Sequence, residues 1–157
     1  MNLNMIINIG NEKTALELLT QFKEKEYVPF YVKITNTRIK DLNKVIGRVV
    51  FKKDALYINS QTLYEIMQDD GEAGTHHHHG LAPEQVYNAL SRLKYSKDVI
   101  ASYDNRYVVI TDVVVSDEVK IVIIVAPNEV LIKEGVDNVV VIITIYPSDR
   151  KNLVVNK

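Results

Sequence analysis

The chain has 157 residues, 19 Lys+Arg against 20 Asp+Glu, a formal net charge of -1, no Cys and no Trp. That length makes one ordinary domain with a sizeable core, and 46% hydrophobic with 25% charged residues is a globular rather than a disordered composition. The missing Cys excludes a disulfide framework, a thiolate nucleophile and Cys-based zinc or iron–sulfur sites, while the near-zero charge requires any nucleic-acid contact to be local.

Residues 1–5 carry no basic leader region. The longest apolar runs, Val119 to Ala126 and Val139 to Ile145, are strand-sized rather than membrane-spanning. The expected location is therefore the cytoplasm, with no membrane partner.

In chain order, Asn4 to Ile9 reads as a short strand closed by Gly10. Asn11 caps a helix from Glu12 to about Glu26, with Ala15, Leu16, Leu18, Leu19 and Phe22 at helical spacing. Tyr27 to Thr35 reads as a strand that Pro29 places at a sheet edge. Residues 36–47 are polar and ambiguous. Gly47 to Lys52 and Ala55 to Asn59 read as extended around Lys53-Asp54. Ser60 caps a short helix, Gln61 to Gln68, with Leu63, Ile66 and Met67 as its stripe. A polar loop, Asp69 to Thr75, leads to four consecutive histidines, His76 to His79. Pro83 opens a second helix near its first position and runs to about Leu93. Tyr95 to Ser102 reads as a turn or short helix.

Beyond Ser102 the sequence becomes β-branched. Arg106 to Val115, Val119 to Ala126 and Val139 to Tyr146 read as strands, the first two joined by the hairpin-length Ser116-Asp117-Glu118 and so antiparallel. Leu153 to Val155 reads as a final short strand. Helices before strands give an α+β layer architecture.

Four features have chemical potential. His76 to His79 offer imidazoles, the side chains best suited to proton transfer near neutral pH; a solvated loop explains them equally well. Asp69 or Asp70 beside them allows a metal-binding alternative, although the spacing matches no known metal motif. Arg106, with Tyr107, begins a strand and suits a phosphate clamp, although an arginine that keeps a sheet edge soluble accounts for it too. Thr144 and Tyr146 are two apart on the last strand and so share one face, with Ile143 and Ile145 on the other. Ser148, Arg150 and Lys151 follow and add polar and positive groups. Ser91, Arg92, Lys94, Tyr95 and Lys97 cluster at a helix end, where the dipole alone explains the cations. Gly-rich phosphate loops, GxSxG and HExxH are absent from the sequence.

The succession of a strand at Leu56 to Asn59, the helix Gln61 to Met67 running toward His, a helix from Ala82, and the strands beginning Arg106-Tyr107-Val108 and ending Thr144-Ile145-Tyr146 resembles the phage-associated branch of the barnase/EndoU/colicin/RelE-like nucleases, the C-terminal domains of phage MuF-type head proteins among them. The resemblance covers residues 56–157 and leaves residues 1–55 as an unassigned α/β extension. It implies N-terminal helices packed on an antiparallel sheet of about four strands. It also implies a phage or prophage ribonuclease-like toxin, an endoribonuclease without metal or other cofactor, acting in the host cytoplasm or carried by the virion. Its partners would be RNA, tRNA included, and a neutralising antitoxin or immunity protein.

By the same resemblance one of His76, His77, His78 and His79 is the acid/base, Arg106 holds the phosphate, and Thr144 and Tyr146 position it. Tyr107, Ser148, Arg150 and Lys151 would bind substrate. Several His where the family has one, and a near-neutral chain where such ribonucleases are often basic, are departures. Two other function classes compete: a non-catalytic phage capsid-associated or protein-binding module of the same fold, and a His-rich metal binder.

Overall fold

The computed structural model describes residues 5–69, 78–131 and 136–149. Among these residues seven strands form one mixed sheet: β1 (Ile6–Asn8), β2 (Tyr31–Thr35), β3 (Leu56–Asn59), β4 (Asp98–Ala101), β5 (Tyr107–Ser116), β6 (Val119–Leu131) and β7 (Val136–Asp149), in the spatial order β1-β2-β3-β7-β6-β5-β4. The helices among the described residues are α1 (Glu12–Glu24), α2 (Asn43–Ile46), α3 (Ser60–Ile66) and α4 (Pro83–Ser91). The expected four-stranded antiparallel sheet is thus overturned. β1 pairs parallel to β2, with α1 as the crossover, and β3 pairs parallel to β7. Residues 1–55 supply β1 and β2 to the same sheet that residues 56–157 complete.

Local chemistry explains most boundaries. Asn11 accepts the Thr14 N–H at 3.2 Å and starts α1. Ala15, Leu19 and Phe22 then recur on one buried stripe, as an amphipathic helix requires. Pro29 precedes β2, and β2 lies inside the sheet between β1 and β3, not at an edge. The proline therefore ends the approach to the strand and leaves the ladder N–H groups intact. The connection from 36 to 55 holds no strand. Asn43 organises it by accepting the N–H groups of Val50 and Phe51 at 2.8 and 2.9 Å and donating to the Phe51 carbonyl at 2.9 Å. Asn59, not Ser60, caps α3, accepting the Gln61 N–H at 2.9 Å. Ser60 is buried instead, and exchanges two bonds with Phe30: its Oγ accepts the Phe30 N–H at 3.0 Å, and its own N–H donates to the Phe30 carbonyl at 2.7 Å.

In the second half, α4 starts at Pro83 and ends at Ser91, followed by a 3-10 turn at Leu93–Tyr95. Residues expected to form a turn make β4, which pairs antiparallel with β5. β6 and β7 extend well past the valine-rich runs, through most of the expected loop 127–138. The antiparallel β5–β6 hairpin forms as expected. The expected strand Leu153 to Val155 lies outside the described residues.

The buried residues of α1, α3 and α4 lie against one face of the sheet and, with Ile34, Ile58, Ile123, Ile142 and Ile145 from the strands, form a single core, to which α2 adds only the partly buried Ile46. Two smaller apolar clusters on the opposite face, around Val122 and around Val141, contain strand residues only. β5 carries irregularities. Between the pairs Ile110/Val122 and Val114/Lys120 it advances four residues while β6 advances two, and Val114 and Val115 are exposed past the last β4 pair. No helix among the described residues is long and apolar enough to cross a membrane.

Ser60→Ala removes the acceptor for the part-buried Phe30 N–H without changing shape. It should cost about 1–3 kcal/mol in denaturant unfolding with an unchanged m value; an unchanged midpoint would show that water satisfies Phe30 equally well.

Candidate functional site: a cleft between α3 and the free edge of β7

β3 pairs with β7 only as far as Ile142, because the chain leaves β3 at Asn59 and enters α3 at once. From Ile143 onward β7 has β6 on one side, while α3 packs against it on the other. At this point the ladder also slips: Ile124 pairs with Thr144 but Val125 with Ile142, so β7 carries one extra residue. The slip reverses the alternation. Ile145 enters the helix-side core, whereas Ile143 packs with Val139 and Val141 on the opposite face. The expectation that Ile143 and Ile145 share a face is therefore corrected by the bulge.

The result is a cleft of about 550 Å³ lined by Thr62, Glu65, Ile66, His79, Ile143, Thr144 and Tyr146, within the ordinary range for small-molecule sites. Two backbone bonds deliver His79 to it. The Gly80 N–H donates to the Gln68 carbonyl at 2.7 Å, and the Leu81 N–H to the Ile66 carbonyl at 3.1 Å. These cover open carbonyls at the C-terminal end of α3 and fasten the returning chain to that end. Gly80 has φ +63°, a left-handed geometry suited to glycine. The His79 ring lies 5.8 Å from the Tyr146 ring, tilted by 40°. Glu65 accepts a hydrogen bond from Gln61 Nε2 at 2.7 Å, one turn earlier on α3, which orients its carboxylate. Gln68 ties the end of α3 to α1 by donating to the Lys23 carbonyl at 2.9 Å. Tyr146 is half-buried, and that desolvation pushes its phenol above the usual tyrosine value.

Of the expected site residues, His79, Thr144 and Tyr146 meet in this cleft. His78 is described but does not line it; His76, His77, Arg150 and Lys151 lie outside the described residues. Arg106 is exposed, just after the 3-10 turn Tyr103–Asn105, and lies outside the cleft lining. Ser148 sits further along β7 opposite Lys120, also outside the lining. Tyr107, expected to bind substrate, is instead buried: it is only 3% exposed, its ring packs on Phe51 at 6.0 Å, and its hydroxyl accepts from Arg48. The cationic cluster after α4 is held locally. Arg92 forms a bidentate pair with Asp112 at 2.8 and 2.7 Å, which lowers the Asp112 carboxyl, and Lys94 donates to the Ser91 carbonyl. Among the described residues no three His, Asp or Glu side chains group as metal ligands; Asp70 lies outside them.

Thr62 and Glu65 were not singled out from the sequence. The available signal was their i, i+3 spacing on the polar side of a short helix whose end leads toward the histidines.

Gly80→Ala finds open space, its Cβ meeting only the Gln68 carbonyl at 3.9 Å, so the cost is conformational. It should lose about 1–2 kcal/mol of stability and move the His79 and Tyr146 ring signals in NMR spectra; unchanged spectra would separate His79 from this turn. The Tyr146 phenol, raised in the folded state, adds stability that is present below the unfolded tyrosine value of about 10 and lost as pH rises through the folded value. Alkaline unfolding should therefore penalise the wild type more than Tyr146→Phe, and parallel pH curves for the two would refute this.

No family model, curated protein or solved structure matches the chain.

Proposed function

We propose that the α3–β7 cleft cleaves RNA by metal-free transphosphorylation. The observation that carries this reading is the meeting of one imidazole, one carboxylate and three hydroxyl side chains in a single cleft: His79, Glu65, Thr62, Thr144 and Tyr146. The 2′-OH of the substrate attacks the adjacent phosphorus. The Glu65 carboxylate accepts the 2′ proton, and the His79 imidazolium donates a proton to the departing 5′ oxygen. The new bond is O2′–P, the broken bond is P–O5′, and the products are a 2′,3′-cyclic phosphate and a 5′-hydroxyl. Hydroxyl donors from Thr62, Thr144 and Tyr146 face the non-bridging oxygens as charge builds there. Arg106 takes no part in this scheme, because it lies outside the cleft lining.

A second reading, a non-catalytic binding module, is favoured by the helix-free apolar sheet face around Val122 and Val141.

The test is cleavage of total RNA and of defined oligoribonucleotides by chelator-treated protein. His79→Ala and Glu65→Gln should each lower the rate roughly 100- to 10,000-fold, with Tyr146→Phe losing less. Intact RNA with the wild-type protein would refute cleavage and leave the binding reading.

A further inference from the structure

The side of Tyr146 away from α3 borders a second concavity. It holds about 210 Å³ and is lined chiefly by Ile100, Ser102, Tyr103, Val108, Ile124 and Tyr146. Its floor follows one cross-strand row. Ile100 on β4 pairs with Val108 on β5, Val108 with Ile124 on β6, and Ile124 with Thr144 on β7. The last member of the row, Thr144, already lines the cleft that holds His79. One strand spacing, about 5 Å, therefore separates the floor of the second concavity from the first, and Tyr146 is the wall they share.

The chemistry of the two differs. The cleft carries carboxylate, imidazole and hydroxyls, whereas the concavity has an aliphatic floor between two tyrosine rings with the Ser102 hydroxyl at its margin. Its outer wall is braced. The Ser102 N–H donates to the Arg106 carbonyl at 2.8 Å and the Arg106 N–H to the Tyr103 carbonyl at 3.1 Å. Left-handed backbone at Asp104 and Asn105 (φ 55° and 59°) tightens the turn and leaves Tyr103 75% exposed at the rim. An apolar slot between aromatic rings, with a hydrogen-bonding margin, suits a flat heterocycle better than a charged or aliphatic group.

We propose that this concavity is a nucleobase subsite, receiving the base next to the phosphodiester presented to His79. The proposal rests on the cleavage reading for its register, but binding can be measured without cleavage. The probe is a short fluorescent 2′-deoxy oligonucleotide, which lacks the attacking hydroxyl, alongside the same strand with one abasic position. Tyr103→Ala removes a stacking ring, and Ser102→Phe fills the slot from its margin, where Ser102 is exposed, extended and two residues on from the floor residue Ile100. Both sites are at the surface, and thermal unfolding confirms the fold of each variant.

Each variant, and the abasic strand, should bind roughly 5- to 150-fold more weakly than the parent pair, the range for loss of one stacked base. Binding with that dependence while the ribo counterpart stays uncut would sink the cleavage reading and keep the subsite. RNA cleaved with no effect of either variant or of the abasic position would sink the subsite and keep cleavage. Self-association abolished by Ser102→Phe, without oligonucleotide affinity, would assign the slot to a second copy and overturn the proposal.

Discussion

The register of β7 governs this molecule. Its partner β3 stops at Ile142, and its partner β6 slips by one residue at Thr144. The first event opens one side of β7 to α3; the second turns Tyr146 toward the open face while Ile145 still enters the core. Had β3 continued, main-chain hydrogen bonds would fill the space that Thr62, Glu65 and His79 now border. The early stop follows from Asn59 and Ser60. Asn59 caps α3 immediately, and Ser60 binds back to Phe30 from both its amide and its hydroxyl.

The sheet is chemically two-sided. One side is sealed by helices into the main core, whereas the other holds small apolar clusters built by strands alone. Burial of the helix face supplies the main driving force for folding. The two concavities meet at Tyr146, which packs on the other face, while α3 borders the larger of them. A near-neutral chain cannot attract a polyanion by bulk charge, and any affinity for RNA must come from contacts of the kind this face offers.

Helix α1 was legible in detail, because Asn11 and the Ala15–Leu19–Phe22 stripe act locally. The β5–β6 hairpin and the β-branched cores of β6 and β7 were legible for the same reason. The parallel pairings were not, since partner choice over such distances depends on the whole core. β4 was missed because Asp98–Ala101 is only four residues long and follows a 3-10 turn. Within the site, Thr144, Tyr146 and one histidine stood out by residue type. Their meeting with Glu65 did not, because it depends on a ladder slip and on two backbone bonds at Gly80 and Leu81. The resemblance that pointed to these residues also implied a four-stranded sheet, which the fold replaces.

The irregular outer half of β5 has a bearing on how the protein behaves at high concentration. A valine-rich strand running past its neighbour, with Val114 and Val115 exposed, is the kind of template on which other chains polymerise. Here the surplus residues break the even spacing of amide and carbonyl groups that an incoming strand must match. Arg92, locked onto Asp112 at the start of that stretch, places a bulky charged pair beside it. The same sequence in a regular ladder would be a seed for fibres; distorted, it stays a surface.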